Sequence, residues 1–596
     1  MQSAATVLGV MRDRGRRCLP LERLYRQLFN RELFLVAYGR IYANKGAMTP
    51  GATTETVDGM SMEKIETIID AMRHERYRFS PVKRIHIPKK KGGSRATRPL
   101  GLPPWSDKLV GEVIRMLLEA YYEPRFSGRS HGFRPGRGCH TALAEVKHVW
   151  KGTTWFVEGD IADCFGSLDH QVMLKTLAEK IHDNRFLRLI GSMLKAGYLE
   201  DWVWHATLSG APQGGVVSPI LSNIYLHRLD TFVEKVLIPQ YTRGQGRRDY
   251  PAHIRAMAAA RRARRRGDRT LFRDLRRQMQ SLPSLDPNDP GYRRLRYVRY
   301  ADDVLFGFAG PKAEAEQIKV KLATFLRSEL RLELSSDKTL ITHARTRAAR
   351  FLGYEITTQH ANQRITKGRR AANGRIRLRV PLDVIKAKCA PYRSGGKPVG
   401  SPALANESDY TIVAAYGSVY RGVVQYYQLA ADVYRFHRLG WVMATAMLKT
   451  LAWKHKSTVA KMEAKHKTKV ETPYGPRRCY EARLDRGAKT TLVARFGGIP
   501  LKRQDRAVIY DHQPSGRFYP HRELITRFLN GTCEICGGVD NIQVHHVRKL
   551  ASLGKPGPPQ PKWARLMARR RRKTLVVCAS CHGHIHTGQP ATPLTQ

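Results

Sequence analysis

A multidomain α+β architecture is predicted by three features of the sequence. The chain has 596 residues, against roughly 150 for an ordinary domain. Its apolar residues switch repeatedly between helical and strand-like spacing. A compact Cys/His unit sits near the C-terminus. Hydrophobic residues make up 42% of the chain, which is enough for real cores and excludes wholesale disorder.

The charge narrows the function. With 104 Lys and Arg against 50 Asp and Glu, the formal net charge is +54. Such a molecule repels itself and calls for a polyanionic partner. Nucleic acid is the leading candidate, and an anionic membrane surface the weaker one. No stretch approaches the roughly 18–20 apolar residues of a spanning helix, so no membrane partner is expected. The N-terminus runs from a weakly apolar stretch into Arg12, Arg14, Arg16 and Arg17, the reverse of a signal peptide's order. The expected location is intracellular, with the nucleoid as the site if the source is bacterial. Five cysteines (18, 139, 164, 389 and 479) stand alone, while Cys533/Cys536 and Cys578/Cys581 form two CxxC pairs. In a reducing compartment paired CxxC reads as metal binding.

Taken in order, residues 20–80 show helical spacing at Leu21, Leu24, Tyr25, Leu28 and Phe29 and again over Met62–Met72. A Gly/Pro/Thr-rich loop from Thr49 to Asp58-Gly59 separates the two. Val82, Ile85 and Ile87, then Lys89-Lys90-Lys91-Gly92-Gly93 and Thr97-Arg98-Pro99, read as a basic hairpin. Residues 106–124 and 139–151 read as helices. Trp155–Asp160 is a short apolar strand ending in an acid, and Tyr297–Phe308 is a hairpin around Ala301-Asp302-Asp303. Between them, residues 241–300 hold 17 Arg, 5 Asp and no Lys or Glu. That excess of +12 suits a phosphate-gripping insertion, although a solvated helical face has the same composition. Residues 375–396 are basic and broken by Pro381 and Pro391. Residues 409–437 read as a helix, and 450–480 as a basic nucleic-acid-facing surface or linker.

The chemistry centres on three carboxylates. Adjacent acids inside an apolar hairpin raise each other's pKa unless a cation sits between them. A divalent metal resolves that conflict, and Asp160 on a neighbouring strand would complete an oxygen cage suited to Mg²⁺. Two such ions serve phosphoryl transfer. A solvated turn is the bland alternative for an Asp-Asp pair; the flanking apolar runs and the charge of the chain weigh against it.

These residues resemble a known family. Tyr300-Ala301-Asp302-Asp303 looks like the catalytic hairpin of reverse transcriptases, and Asp160 like their first metal aspartate. In the same order, Ile87-Pro88-Lys89 with Arg98-Pro99-Leu100-Gly101 resembles the fingers hairpin. His131-Gly132-Phe133-Arg134-Pro135-Gly136-Arg137 and Ala211-Pro212-Gln213-Gly214-Gly215 resemble the following blocks. Leu334-Ser335, Lys338-Thr339 and Phe351-Leu352-Gly353-Tyr354 close the palm. The wording of the blocks and the basic insertion resemble group II intron-encoded proteins in particular. The resemblance implies a right-hand polymerase fold: an N-terminal extension (1–80), fingers and palm (81–360, insertion at about 241–296), a helical thumb or maturase X domain (361–480), a DNA-binding segment (481–520) and a nuclease unit (521–596). It implies Lys89 and Arg98 on the triphosphate of incoming dNTPs, Gln213 near the nucleotide, Phe165 as the aromatic gate against a ribose 2′-hydroxyl, and Asp160, Asp302, Asp303 and the Ile161 carbonyl on two Mg²⁺. Phe165 has an apolar-core alternative.

The C-terminal unit follows the same logic. Cys533, Cys536, Cys578 and Cys581 suit a closed tetrahedral Zn²⁺ site that staples a unit too small for a large core. The histidines then need another role. His582 and His586 are four apart and share a helix face, so with His545 they could ligate a second divalent ion, leaving His546 to deprotonate a water; packing around the zinc is the alternative. This arrangement resembles HNH endonucleases of ββα-metal fold, which implies His545, His582 and His586 as metal ligands and His546 as general base. One departure is that Lys573 stands where the family often has Asn.

Together the resemblance implies an RNA-directed DNA polymerase that binds its intron RNA, assists splicing and nicks target DNA for retrohoming. An RNA-binding splicing factor with inactive catalytic sites is the alternative, and a nuclease-led defence protein a third. Nothing in the sequence sets an oligomeric state.

Overall fold

The structure is a computed structural model. It describes residues 2–588 except 89–96, 202, 208, 211–214, 336, 362–363, 366–371, 487–488, 510–522 and 554–559. Lys89 and Gln213 therefore lie outside the described residues.

A four-stranded antiparallel sheet forms the centre, in the order Arg294–Tyr300, Asp303–Ala309, Trp155–Asp160, Ile341–His343. Its strands are rich in Val, Leu, Phe and Tyr, the residues that fill a pleated, buried surface. One face packs on helices Ser218–Phe232 and Lys312–Leu330, and the other on helix Cys139–Val149. A second sheet carries the basic hairpin: Thr97–Leu102 pairs with Val82–Pro88, which runs parallel to Tyr198–Glu200, with Val203–His205 at the edge.

The Arg-rich insertion is a helical hairpin, Pro251–Arg265 and Arg269–Ser281. Ala256, Ala260 and Ala263 are buried, while Arg261, Arg262, Arg264, Arg265 and Arg266 face solvent. Asp286 and Asp289 tie its base, accepting from the Arg248 side chain and the Arg248 amide. These two acids thus close the loop at the base of the hairpin.

Three regions differ from expectation. The N-terminus forms a helix, Ala4–Arg16, burying Ala4, Val7, Leu8 and Met11; its later arginines lie on the opposite face and mask the apolar stripe. Within the expected helical stretch, Tyr25–Phe29 is a short 3₁₀ turn. Residues 450–480, read as a basic surface or linker, hold the end of helix His437–Lys454, helix Val459–His466 and the start of a three-stranded sheet that continues beyond them, Lys467–Val470, Arg477–Arg486 and Lys489–Gly497. The middle strand runs through residues 480–481, so the expected boundary there falls inside one sheet. Ala482, Ala494 and Phe496 seat that sheet on helix Asp409–Tyr426, where Gly417 lies so close that a Cβ would meet the Arg495 carbonyl oxygen at 2.2 Å. Positive outward-facing positions hid the period-two pattern.

The C-terminal unit does not stand apart. Val544, Val576, Leu524, Ile525 and Phe528 belong to the same core as the N-terminal helices. Met60–Ser61 adds a third strand to the C-terminal sheet, pairing antiparallel with Val544 and Gln543. The unit therefore draws part of its core from the start of the chain.

Candidate functional sites: a carboxylate hairpin and a Cys/His centre

In the central sheet Asp160 and Asp303 are register partners on adjacent strands, and Asp302 stands at the hairpin turn beside them. The turn depends on Ala301 adopting a left-handed backbone, φ +55°. Burial pushes the Asp303 carboxyl up to about 7, helped by the facing Asp302 and Asp160. Burial, then Asp160, also raises Asp302. Lys338 Nζ donates to Asp160 Oδ2 at 2.7 Å. Three acids that repel each other in a partly buried pocket form the donor set a divalent cation stabilises.

A buried ion pair anchors the hairpin. Arg299 and Asp230 are both fully buried. Arg299 Nε and Nη2 donate to the Asp230 carboxylate at 2.8 and 2.7 Å, and Tyr297 Oη donates to it at 2.8 Å. Arg299 Nη1 then reaches the Ala301 carbonyl at 2.8 Å and Asn223 Oδ1 at 3.1 Å. The guanidinium thus holds the backbone of the turn that carries Asp302.

Gly132 closes the other side. Its carbonyl accepts from Asn223 Nδ2, and a Cβ there would sit 2.3 Å from the Ala301 amide nitrogen. Only backbone can give way, so Gly132→Ala displaces the hairpin. A misplacement of about 1 Å costs on the order of 10²-fold in rate. We expect single-nucleotide incorporation by Gly132→Ala to fall by about that factor, with about 1–3 kcal/mol of stability lost to the overpacking; an unchanged rate would rule out this packing.

Ile161 is buried and forms an isolated bridge to Leu334. Phe165 is half-buried, its ring edge-on to Phe133 at 6.3 Å. Arg98 lies exposed on its strand opposite Ile87.

In the C-terminal unit two antiparallel strands, Ile542–His546 and Thr574–Cys578, lead into helix Ala579–Thr587. The four sulfurs of Cys533, Cys536, Cys578 and Cys581 lie within 4.8 Å of one another, and Cys536 and Cys578 approach to 3.7 Å. A tetrahedron of zinc–sulfur bonds of about 2.3 Å places sulfurs about 3.8 Å apart. The amides of Cys536, Cys581 and Gly538 donate to these sulfurs, an arrangement that would stabilise thiolates.

His545, His582 and His586 converge on a second point. A fourth residue, Asp58, joins them from the N-terminal extension. Sequence reasoning missed it; the only signal was an Asp-Gly step ending a polar loop. Burial alone would raise the Asp58 carboxyl, but the facing His545 and His582 imidazoles and the His546 amide hold it well below the usual range. Strand alternation sends His546 to the other face, between Tyr38 and Tyr42, where its Nε2 lies 3.4 Å from Tyr38 Oη. Burial pushes the His546 imidazole down to about 4, leaving it neutral at physiological pH. It borders a cavity of about 570 Å³ whose wall also carries Lys45, Arg548, Lys549, Arg572 and Lys573.

Comparison with known proteins agrees with this geometry. Residues 87–243 match the family model for reverse transcriptase (RNA-dependent DNA polymerase), 376–474 that for type II intron maturase, and 533–582 that for AI2M/AI1M-like HNH endonuclease. The chain is 37% identical over 585 residues to the group II intron-encoded protein LtrA of Lactococcus lactis subsp. cremoris, covering 94% of this chain and 95% of the relative. It belongs to the group II intron-encoded proteins. An uncharacterized 91 kDa protein in the cob intron of Schizosaccharomyces pombe is 33% identical, over 94% of this chain and 69% of that one. The putative COX1/OXI3 intron 1 protein of Saccharomyces cerevisiae is 30% identical, over 94% and 68%. The intron-encoded protein is a reverse transcriptase and maturase with an HNH endonuclease domain, and its partners are nucleic acids. Among the described residues no helix is long and apolar enough to cross a membrane.

Proposed function

We propose that this protein reverse-transcribes its own intron RNA at the Asp160–Asp302–Asp303 cluster, primed by a target DNA strand that the HNH unit has nicked. The observation that carries this is the pairing of Asp160 with Asp303 across adjacent strands, with Asp302 at the intervening turn. These carboxylates and the Ile161 carbonyl would hold two Mg²⁺, which supply charge stabilisation to the attacking and leaving oxygens. The primer 3′-hydroxyl attacks the α-phosphate and pyrophosphate leaves. Arg98 and Lys89 bind the triphosphate as fork and point cations. By the family resemblance Gln213 would serve the incoming nucleotide, and the Phe165 ring would exclude a ribose 2′-hydroxyl.

At the C-terminus Zn²⁺ at the four cysteines staples the strand–helix unit. His545, His582 and His586 hold the nuclease ion, and His546 takes the proton from water once DNA phosphates occupy the basic cavity that it borders. The right-hand assignment of fingers, palm and thumb and the nuclease unit over 521–596 follow from the same reading, with the maturase X domain running from 361 through the sheet that ends at Gly497.

The arginine face of the insertion and the basic thumb would grip the structured intron RNA and so assist splicing. Arg261→Ala, Arg262→Ala, Arg264→Ala and Arg265→Ala combined should weaken RNA binding and flatten its dependence on salt. Each lost phosphate contact lowers the magnitude of the slope of log K against log[salt] by about 0.7–0.9. Filter binding of intron RNA across a salt series checks this; an unchanged slope would place the RNA elsewhere.

A further inference from the structure

The histidine cluster contains an acid from the far end of the chain. Asp58 follows the loop after helix Arg31–Ile41 and precedes the two-residue strand Met60–Ser61. That strand is hydrogen-bonded to the HNH sheet, and the Gly59 amide donates to the Val544 carbonyl at 3.0 Å. Gly59 has φ +73°, the left-handed conformation that lets the chain turn at this point and leave the carboxylate between the imidazoles.

The distances are those of a ligand cage. Asp58 Oδ1 lies 3.2 Å from His545 Nδ1 and 3.3 Å from His582 Nε2, and Asp58 Oδ2 lies 2.9 Å from His586 Nε2. His582 Nε2 and His586 Nε2 are 3.3 Å apart. Metal–nitrogen bonds of about 2.0–2.1 Å in a tetrahedron place ligand atoms about 3.3 Å from one another.

The chemistry of the donor set points the same way. His545 is buried with Nδ1 facing the Asp58 carboxylate, and among the described residues neither ring nitrogen makes a well-formed hydrogen bond. A carboxylate that merely orients a metal-bound histidine accepts from the nitrogen that does not bind the metal. Here Asp58 faces the same Nε2 atoms of His582 and His586 that face each other. A cation at the centre would satisfy all four lone pairs together. The His546 amide, donating to Asp58 Oδ1 at 2.7 Å, fixes the carboxylate further.

We propose that Asp58 is a protein ligand of the HNH ion, so that the nuclease metal centre is assembled between the N-terminal extension and the C-terminal unit. The inference rests on reading the histidine cluster as the HNH metal site. Its consequence is that metal loading ties the nuclease unit to the start of the polymerase, and that the coordination position nearest the N-terminal loop is taken by protein. In the resting protein His545, His582, His586 and Asp58 would complete a four-coordinate site, which would expand to five-coordinate when water or phosphate enters.

The test is a Co²⁺ titration of the full-length protein with zinc already at the four cysteines, followed by visible absorption. Tetrahedral Co²⁺ absorbs strongly, while an oxygen-ligated octahedral ion at the polymerase acids absorbs weakly. The native protein should show one strong saturable band. Asp58→Ala should weaken Co²⁺ affinity at least about tenfold and change the band, as replacement of a protein ligand by water requires. Asp58→Asn, which keeps the shape of the side chain, should act in the same direction and guards against misfolding, as does circular dichroism of both variants. Native affinity and spectrum in the two variants would overturn the assignment of Asp58. A band that survives His586→Ala, or is missing from the native protein, would overturn the histidine site and with it this inference.

Discussion

Replacing Asp302 and Asp303 together by alanine should abolish cDNA synthesis on an RNA template while leaving intron RNA binding within about twofold of native. Metal clamping of attacking and leaving oxygens is worth several kcal/mol, and each 1.36 kcal/mol is tenfold in rate, so a loss of at least about 10³-fold is expected. The variant should not be less stable. In the metal-free protein burial and mutual repulsion raise both carboxyls, so their removal relieves a strain. Thermal unfolding in chelator should therefore occur at the native temperature or above it. Loss of activity accompanied by a fall in stability would mean that the acids hold the fold rather than the ions. Intact polymerisation would refute the site.

The second large effect lies behind the hairpin. Asp230→Ala leaves the fully buried Arg299 guanidinium without its counter-charge. Breaking a buried pair from one side costs about 3–5 kcal/mol. Urea unfolding should lose stability in that range, and polymerisation should fall because Arg299 no longer presents Nη1 squarely to the Ala301 carbonyl. Asp230→Leu combined with Arg299→Met separates the two roles. Apolar replacement of both partners is often neutral for stability. The double variant should recover most of its stability and remain a poor polymerase, because no donor then holds the turn. Recovery of both would make Arg299 a matter of stability alone.

Legibility in the sequence followed physical visibility. The strand Trp155–Asp160 and the hairpin about Ala301 were readable because apolar runs on a pleated sheet end abruptly in acids. The two CxxC pairs and the His582/His586 spacing were readable because metal ligation needs fixed residue types at short spacings. Arg299 and Asp230 were not, since a single charged residue inside a strand or helix looks solvated until its partner, distant in sequence, is placed. Gly132 stood within a recognised block, but its contact with Ala301 exists only in three dimensions. Asp58 was the hardest to find: it is separated from its histidines by nearly the whole chain and sits in a loop of ordinary turn composition. The sheet of residues 467–497 was obscured by exposed arginines and lysines on its polar face.

The most direct measurement is target-primed synthesis by the protein bound to its intron RNA, on a supercoiled plasmid carrying the target site. Native protein should yield cDNA covalently joined to the nicked strand. His546→Ala should give neither nick nor joined product on that plasmid, yet extend an annealed primer normally. Asp302→Ala with Asp303→Ala should nick the plasmid and add nothing to it. Joined product from either variant would contradict the division of chemistry between the carboxylate hairpin and the HNH centre.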